Sequence, residues 1–244
     1  MKVIRLNTPD TAMILAAGLG TRMRPITDNM PKPLVRVFGK TLLDHNLDKL
    51  AAAGVSRTVV NVHYLASQVE EHLSGRETPA ITISDERGGL LDSGGGVKKA
   101  LPKLGKAPFF LMNSDSFWLE GSLPNLRQMA ACFDESRMDM MLMLCGMSDS
   151  VGYDGKGDFY MDPDGKLSRR TENRVAPFAY AGAAIIHPRV FDNAPDVPFS
   201  LNRLFDEAIE KDRLYGMRMQ GLWLHVGTPD AIRAAEEAIA RSAA

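Results

Sequence analysis

From residue 12 onward the chain alternates short apolar runs with stretches whose apolar residues recur at helical spacing. Ala12-Met13-Ile14-Leu15-Ala16 is unbroken and predicts a strand. Leu42, Leu43, Leu47 and Leu50 share one face of a helix that Gly54 closes. Thr58-Val59-Val60-Asn61-Val62 predicts the next strand, Leu65, Val69 and Leu73 a helix, and Ile81-Thr82-Ile83 a strand. Val97 to Leu101 then predicts a short helix and Phe109-Phe110-Leu111-Met112 another strand. This βαβα order predicts an α/β fold with a mainly parallel central sheet and helices on both faces. A helix around Leu123 to Phe133 leads into Met138 to Leu144, whose near-continuous apolarity suits a strand covered on both sides. Its methionines read as core filling rather than a binding stripe.

After Cys145 the pattern changes. Gly157-Asp158-Phe159-Tyr160-Met161, the turn Asp162-Pro163-Asp164-Gly165 and Lys166 to Arg170 predict a hairpin, so antiparallel strands join the sheet here. Ala181 to Ile186 predicts a strand and Leu201 to Glu210 a helix. Thr228-Pro229 is an N-cap and first-turn pair for a last helix running to Arg241. No repeat, low-complexity tract or linker interrupts the chain, which predicts one domain over residues 1–244.

Composition narrows the partners. With 244 residues, 45% of them hydrophobic, the chain can bury a substantial core. A net charge of −1 gives no global field for nucleic acid or an anionic membrane, so small-molecule partners are expected, met by local groups. The only cysteines, Cys132 and Cys145, stand in apolar runs without zinc-ligand spacing and read as two buried thiols. Met1 to Leu6 lacks a long apolar stretch, and no run approaches the roughly 20 residues of a membrane span, so a cytoplasmic protein is expected.

The candidate chemistry begins where the first strand ends, in Gly18-Leu19-Gly20-Thr21-Arg22-Met23-Arg24-Pro25, with Pro31-Lys32-Pro33-Leu34 beyond it. Two glycines let the backbone approach an anion, and successive N–H groups in such a turn form an anion-binding nest. Arg22, Arg24 and Lys32 can add charge-assisted bonds. Other glycine motifs fit worse. Met23 stands where a dinucleotide fingerprint has its third glycine, and Leu34 stands where a P-loop ending in Gly39-Lys40-Thr41 has its first.

The whole string Leu15-Ala16-Ala17-Gly18-Leu19-Gly20-Thr21-Arg22-Met23-Arg24-Pro25-Ile26-Thr27, with Pro31-Lys32-Pro33-Leu34, resembles the signature of the sugar-1-phosphate nucleotidyltransferases. The resemblance implies a Rossmann-like nucleotidyltransferase fold, with a nucleotide-binding part over about 11–145 and a sugar-binding part over about 146–244. It implies catalytic roles for Arg22, Lys32 and Asp115. Leu15, Ala16, Ala17, Gly18, Gly20, Thr21, Arg22, Lys32, Glu86 and Gly94 would meet the nucleotide. Asp92-Ser93-Gly94-Gly95-Gly96 resembles the glycine turn beside the nucleoside, and Asn113-Ser114-Asp115 the strand-end motif whose aspartate binds magnesium. Asn113, Gly157, Glu172, Asn173 and Ala181 resemble the sugar-binding side. Trp223-Leu224-His225-Val226-Gly227-Thr228-Pro229 resembles the closing motif, with His225 where the family usually has aspartate, so Asp115 and His225 are the implied metal ligands. Taken singly, the glycine run also reads as a flexible turn, Asp115 as a helix N-cap, Glu172 as a solvated carboxylate and Trp223 as core.

The chemistry these residues imply needs no nucleophilic side chain. A sugar phosphate, with a second pKa near ~6, is already largely dianionic at neutral pH. It must approach a polyanionic triphosphate in line while pyrophosphate leaves, so positioning and charge neutralisation carry the reaction, with magnesium, or manganese, on Asp115. The short form and the Gly-Lys-Gly-Asp-Phe hairpin most resemble the uridylyltransferases that act on N-acetylmuramate 1-phosphate in peptidoglycan recycling. Mannose-1-phosphate guanylyltransferases are the close alternative, and a catalytically weak nucleotide-sugar sensor is the alternative of another class. A monomer or small homo-oligomer is expected.

Overall fold

A computed structural model describes residues 8–242; the Met1 to Leu6 segment lies outside them. In chain order the elements are β1 (Thr11–Leu15), β2 (Arg36–Val37), β3 (Lys40–Thr41), α1 (Leu42–Ala53), β4 (Arg57–Val62), α2 (Ala66–Leu73) and β5 (Ala80–Asp85). There follow α3 (Asp92–Leu104), β6 (Phe109–Asn113), β7 (Ser116–Glu120), α4 (Asn125–Cys132), β8 (Met140–Gly146), β9 (Ser150–Val151), β10 (Phe159–Met161) and β11 (Leu167–Arg169). The chain ends with β12 (Phe178–Ile186), α5 (Asn202–Glu210), β13 (Leu214–Arg218), β14 (Gly221–His225) and α6 (Pro229–Ser242).

The strands β5, β4, β1 and β6 lie side by side and parallel. β12 pairs antiparallel with β6 and with β8, and β13 runs parallel to β8. The hairpin β10–β11 attaches to the start of β12 at Phe178. Side chains of a strand alternate between faces, and the two cores follow that alternation. Ala12, Ile14, Val60, Val62, Phe110 and Met112 meet Leu43, Leu47 and Leu50 of α1, Val69 of α2 and Met129 of α4. Met13, Val59, Phe109 and Leu111 meet Val97 and Ala100 of α3 and Leu204 and Phe205 of α5 on the opposite face. Helices therefore cover both faces, as the pattern predicts. In β8, Met140, Leu142 and Leu144 enter one core while Met141, Met143 and Cys145 enter the other, so the methionines are core. Each such burial stabilises by about 1.5–3 kcal/mol.

A second sheet, ordered β7-β14-β9, packs Phe117, Leu224 and Val226 under Ala235 and Ala238 of α6. The sequence pattern did not predict β7, β13 or β14, nor the two-residue strands β2, β3 and β9. Asp115 leads into strand β7, so its reading as a helix N-cap is corrected. In β13, Gly216 interrupts the apolar pattern because a Cβ there would lie 2.6 Å from Leu144 Cδ1. α3 is longer than predicted and begins at Asp92, so Gly94-Gly95-Gly96 is helical and not a turn. Cys145 is buried but Cys132 is exposed at the end of α4, which corrects the expectation of two buried thiols.

Candidate active site

The site is built where parallel strands end, which is where open α/β sheets hold their ligands. Past β1, the Ala16 N–H donates to Asn61 Oδ1 at 2.7 Å. Asn61 Nδ2 donates to Glu86 Oε1 at 2.7 Å, and the Leu91 N–H donates to Glu86 Oε2 at 3.3 Å. Glu86 is fully buried, so this clamp fastens the end of β1 to β4 and to the approach of α3. Gly96 belongs to it by having no side chain, since a Cβ would lie 2.7 Å from Glu86 Oε1 and 3.0 Å from Asn61 Nδ2.

Beyond the clamp the chain turns through Gly20 at φ 65°, a left-handed conformation suited to glycine. A Cβ on Gly20 would also crowd Lys32 Cβ at 3.0 Å and Thr27 Cγ2 at 3.1 Å. Thr27 Oγ1 donates to the Gly20 carbonyl at 2.7 Å, and Tyr64 Oη donates to the Thr27 carbonyl at 2.9 Å, so the turn is braced from outside. Among the described residues the N–H groups of Gly18, Leu19, Gly20 and Thr21 have no protein acceptor. Consecutive free N–H groups beside Arg22 make a receptor for an anion such as a phosphate.

Opposite the nest, Lys32 follows Pro31 into a short 3₁₀ turn and is 9% exposed. Its Nζ donates to Asp115 Oδ2 at 2.8 Å. Asp115 sits between β6 and β7, and its carbonyl accepts from the Val226 N–H at 2.9 Å, so the end of β14 is tied to it. Burial raises the Asp115 pKa, but the Lys32 ammonium, then His225 and Arg22, outweigh burial and hold it below the usual carboxylate range. The tie brings up His225, which pairs with Ser116 across β7 and stands edge-on to Tyr153 at a ring separation of 6.1 Å. Burial lowers the His225 pKa against the opposing pull of Asp115, which leaves a neutral imidazole at neutral pH. Gly227 makes room for that ring, since a Cβ there would lie 2.8 Å from His225 Nε2.

The end of β1, the nest, Lys32, Asn61, Glu86 and Asp115 line one cleft of ≈ 450 Å³, a volume suited to a small ligand, and His225 is not among its lining residues. Of the residues singled out in the sequence, Leu15, Ala16, Ala17, Gly18, Gly20, Thr21, Arg22, Lys32, Glu86, Asn113 and Asp115 line it. Gly94 stands behind its wall, where its N–H donates to the Phe199 carbonyl at 2.8 Å and a Cβ would strike the Phe199 ring at 2.3 Å. Glu172 and Asn173 are exposed on a turn closed by the Arg174 N–H to the Thr171 carbonyl at 3.2 Å, away from the lining. Gly157 at φ 75° lets the hairpin pass the Ala176 carbonyl, and Ala181 is buried with its carbonyl accepting from Ser116 Oγ. Sequence reasoning missed Asn61, although a lone amide inside Val59-Val60-Asn61-Val62 is the signal that marks it. It quoted Ser93 and Leu19 only within motifs, with no role of their own, and it missed Leu90.

The fold and this cleft define a nucleotide-handling enzyme of the α/β class, and the chain belongs to the nucleotidyl transferase family, whose model matches residues 11–242. Over 238 residues it is 46% identical to the N-acetylmuramate alpha-1-phosphate uridylyltransferase of Caulobacter vibrioides, covering 96% of this chain and 98% of that protein. The Neisseria meningitidis protein of the same name is 32% identical, covering 92% of this chain and 96% of its own length. Among solved structures, the inositol-1-phosphate CTP transferase from T. maritima superposes with a TM-score of 0.75 at 17% identity, over 94% of this chain and 97% of that one, which shows a shared fold.

Proposed function

We propose that this chain transfers a uridylyl group from UTP to N-acetylmuramate 1-phosphate. The observation that carries the reaction class is the anion nest of Gly18 to Arg22 facing the Lys32–Asp115 pair across one cleft. The choice of substrates is supported by the likeness to two uridylyltransferases along nearly their whole lengths. A phosphate oxygen of the sugar phosphate attacks the α-phosphorus of UTP as the bond to the bridging oxygen breaks and pyrophosphate departs. Gly20, Thr21 and Arg22 hold the triphosphate, and Lys32 screens the meeting phosphates. Leu15, Ala16 and Ala17 would receive the nucleoside, with Glu86 and Gly94 shaping its pocket. Asn113 would meet the sugar from the cleft, whereas Gly157, Glu172, Asn173 and Ala181 lie outside its lining.

A divalent cation would supply charge neutralisation at the phosphate oxygens. The donors present fit one. Asp115 engages Lys32 through a single oxygen, and His225 is neutral with a lone pair to offer. One carboxylate with phosphate oxygens and water suits magnesium, whereas an imidazole partner suits manganese better. Among the described residues no group of three or more His, Cys, Asp or Glu forms a self-sufficient metal cage, consistent with a site that substrate completes. No helix among them is long and apolar enough to cross a membrane, and we place the activity in the cytoplasm, returning a cell-wall sugar to its nucleotide form.

The test is pyrophosphate release from UTP and N-acetylmuramate 1-phosphate. Asp115→Asn and Arg22→Ala should each lower kcat by on the order of 10²-fold or more. His225→Asp should keep or improve magnesium-supported turnover while narrowing the advantage of manganese. Unchanged turnover in the Arg22 and Asp115 variants would refute the site, and full activity in excess chelator would refute the metal.

A further inference from the structure

Asn46 is a polar residue where the pattern of α1 calls for an apolar one. It is fully buried on the side of the helix that carries Leu43, Leu47 and Leu50 into the core. Asparagine is a weaker helix former than leucine, and a buried amide costs stability unless its hydrogen bonds are made inside the protein. Its Nδ2 donates to three carbonyls: Leu42 at 3.1 Å, one turn back in α1, Asn113 at 3.3 Å and Ser116 at 3.1 Å. Two hydrogens are shared among these acceptors, and the convergence fixes the amide, because its oxygen turned that way would face three carbonyl oxygens. Oδ1 is left buried without a partner, so the residue is kept for its NH2 group alone.

The two distant carbonyls bracket Asp115. Asn113 ends β6 in the main sheet and Ser116 begins β7 in the second sheet, so Ser114-Asp115 is the step by which the chain crosses between sheets. The Ser114 N–H donates to the Leu15 carbonyl at 3.2 Å, and the Asp115 carbonyl faces β14, where it accepts from the Val226 N–H. Successive carbonyls of a strand point to opposite sides, so that of Ser116 faces away from β14. β7 is the edge of its sheet, and among the described residues no strand of it lies on that side. Asn46 supplies the missing donor. We propose that Asn46 is a positioning residue that clamps both ends of this step, so that Asp115 presents its carboxylate to Lys32 and the phosphates at a fixed place. A shift of about 1 Å at a reacting centre can cost on the order of 10²-fold in rate. The proposal rests on the reading above for what Asp115 does there, but its first test needs no substrate.

The test compares Asn46→Ala and Asn46→Leu, which both remove the NH2 group, one leaving space and the other filling it, with Leu50→Ala, which weakens the same helix face without touching the step. Each is studied at a temperature where its melting curve shows a folded protein, and either Asn46 variant decides alone should the other not fold. In the free protein, amide hydrogen exchange at Val226 reports on the Asp115 carbonyl that it binds. Relative to the amides of β4 it should quicken at least about 10-fold in the Asn46 variants and stay within about 2-fold in Leu50→Ala. In turnover, the Asn46 variants should lower kcat about 10-fold or more with the triphosphate KM within about 3-fold, whereas Leu50→Ala should keep kcat within about 2-fold of native. Val226 exchange that keeps pace with β4 in the Asn46 variants marks an amide that only joins the helix to the sheets, and overturns the proposal. Faster exchange with a native kcat also overturns it, because the step would then be loosened without consequence. A native protein inactive with every triphosphate and sugar phosphate would instead sink the functional reading, while the exchange result still decides whether Asn46 holds the step at Asp115.

Discussion

Gly96→Ala against Gly95→Ala separates a glycine required by the active-site clamp from one that merely sits in a helix. Both positions lie inside α3, where alanine is favoured over glycine by about 1 kcal/mol. At Gly95 the added methyl would meet Leu91 Cβ at 3.2 Å and Pro198 Cα at 3.5 Å, contacts that a slight shift relieves. At Gly96 it would lie 2.7 Å from Glu86 Oε1 and 3.0 Å from Asn61 Nδ2, between the partners of a 2.7 Å hydrogen bond. Overpacking costs about 1–3 kcal/mol. Losing a hydrogen bond to a carboxylate adds about 1.5–3 kcal/mol. After the propensity gain the net cost at Gly96 is about 1.5–5 kcal/mol, a fall in Tm of roughly 3–20 °C for a domain of this size. Gly95→Ala should stay within about 1 kcal/mol of native. Because the clamp also holds the Ala16 N–H, Gly96→Ala should raise the KM for the triphosphate as well. Thermal and urea melts with triphosphate titration measure both effects. Equal melting points for the two variants would refute the clamp.

Lys32→Ala should lower kcat by on the order of 10²-fold, and it should also destabilise, because it strips the partner from a largely buried Asp115; adding Asp115→Asn should restore part of the lost melting temperature, and no recovery would refute the pairing. Asp139 accepts from Arg189 and Arg213 at 2.7 Å each, and although burial raises its pKa the two guanidiniums outweigh burial and lower it. Its contribution is therefore complete above the unfolded pKa near ~4 and is lost as pH falls through the depressed native value, so the stability gap between native and Asp139→Asn should shrink in acid; a gap constant down to pH ~2 would contradict this. A thiol reagent should label Cys132 in the folded protein and reach Cys145, whose pKa burial pushes up to about 12, only on unfolding; two fast thiols would count against the buried β8.

The parallel half of the sheet was legible because its signals are local: unbroken runs in β1 and β6, and the leucine period of α1 closed by Gly54 in the left-handed conformation. The turn at Gly20 was legible for the same reason, since a glycine reports a backbone shape through its own lack of a side chain. What was misread depends on distant partners. Gly94 and Gly96 look like a turn in sequence but are helical, kept small by Phe199 and Glu86 on other segments. β7 hides between Asp115 and Gly121 because it is held by β14, about a hundred residues later in the chain. Asn61 shows its importance only when Ala16 and Glu86 are seen on either side of it.

The most direct measurement offers the protein UTP, GTP, CTP and ATP together at equal concentration, with N-acetylmuramate 1-phosphate and mannose 1-phosphate both present and magnesium or manganese added. The nucleotide sugars formed are identified by mass and by their initial rates. The uridylyl ester of N-acetylmuramate 1-phosphate should dominate the products, with one pyrophosphate released per molecule formed. A guanylyl ester of mannose as the main product would contradict the account, and so would the absence of any nucleotide sugar from a folded protein that binds the triphosphate.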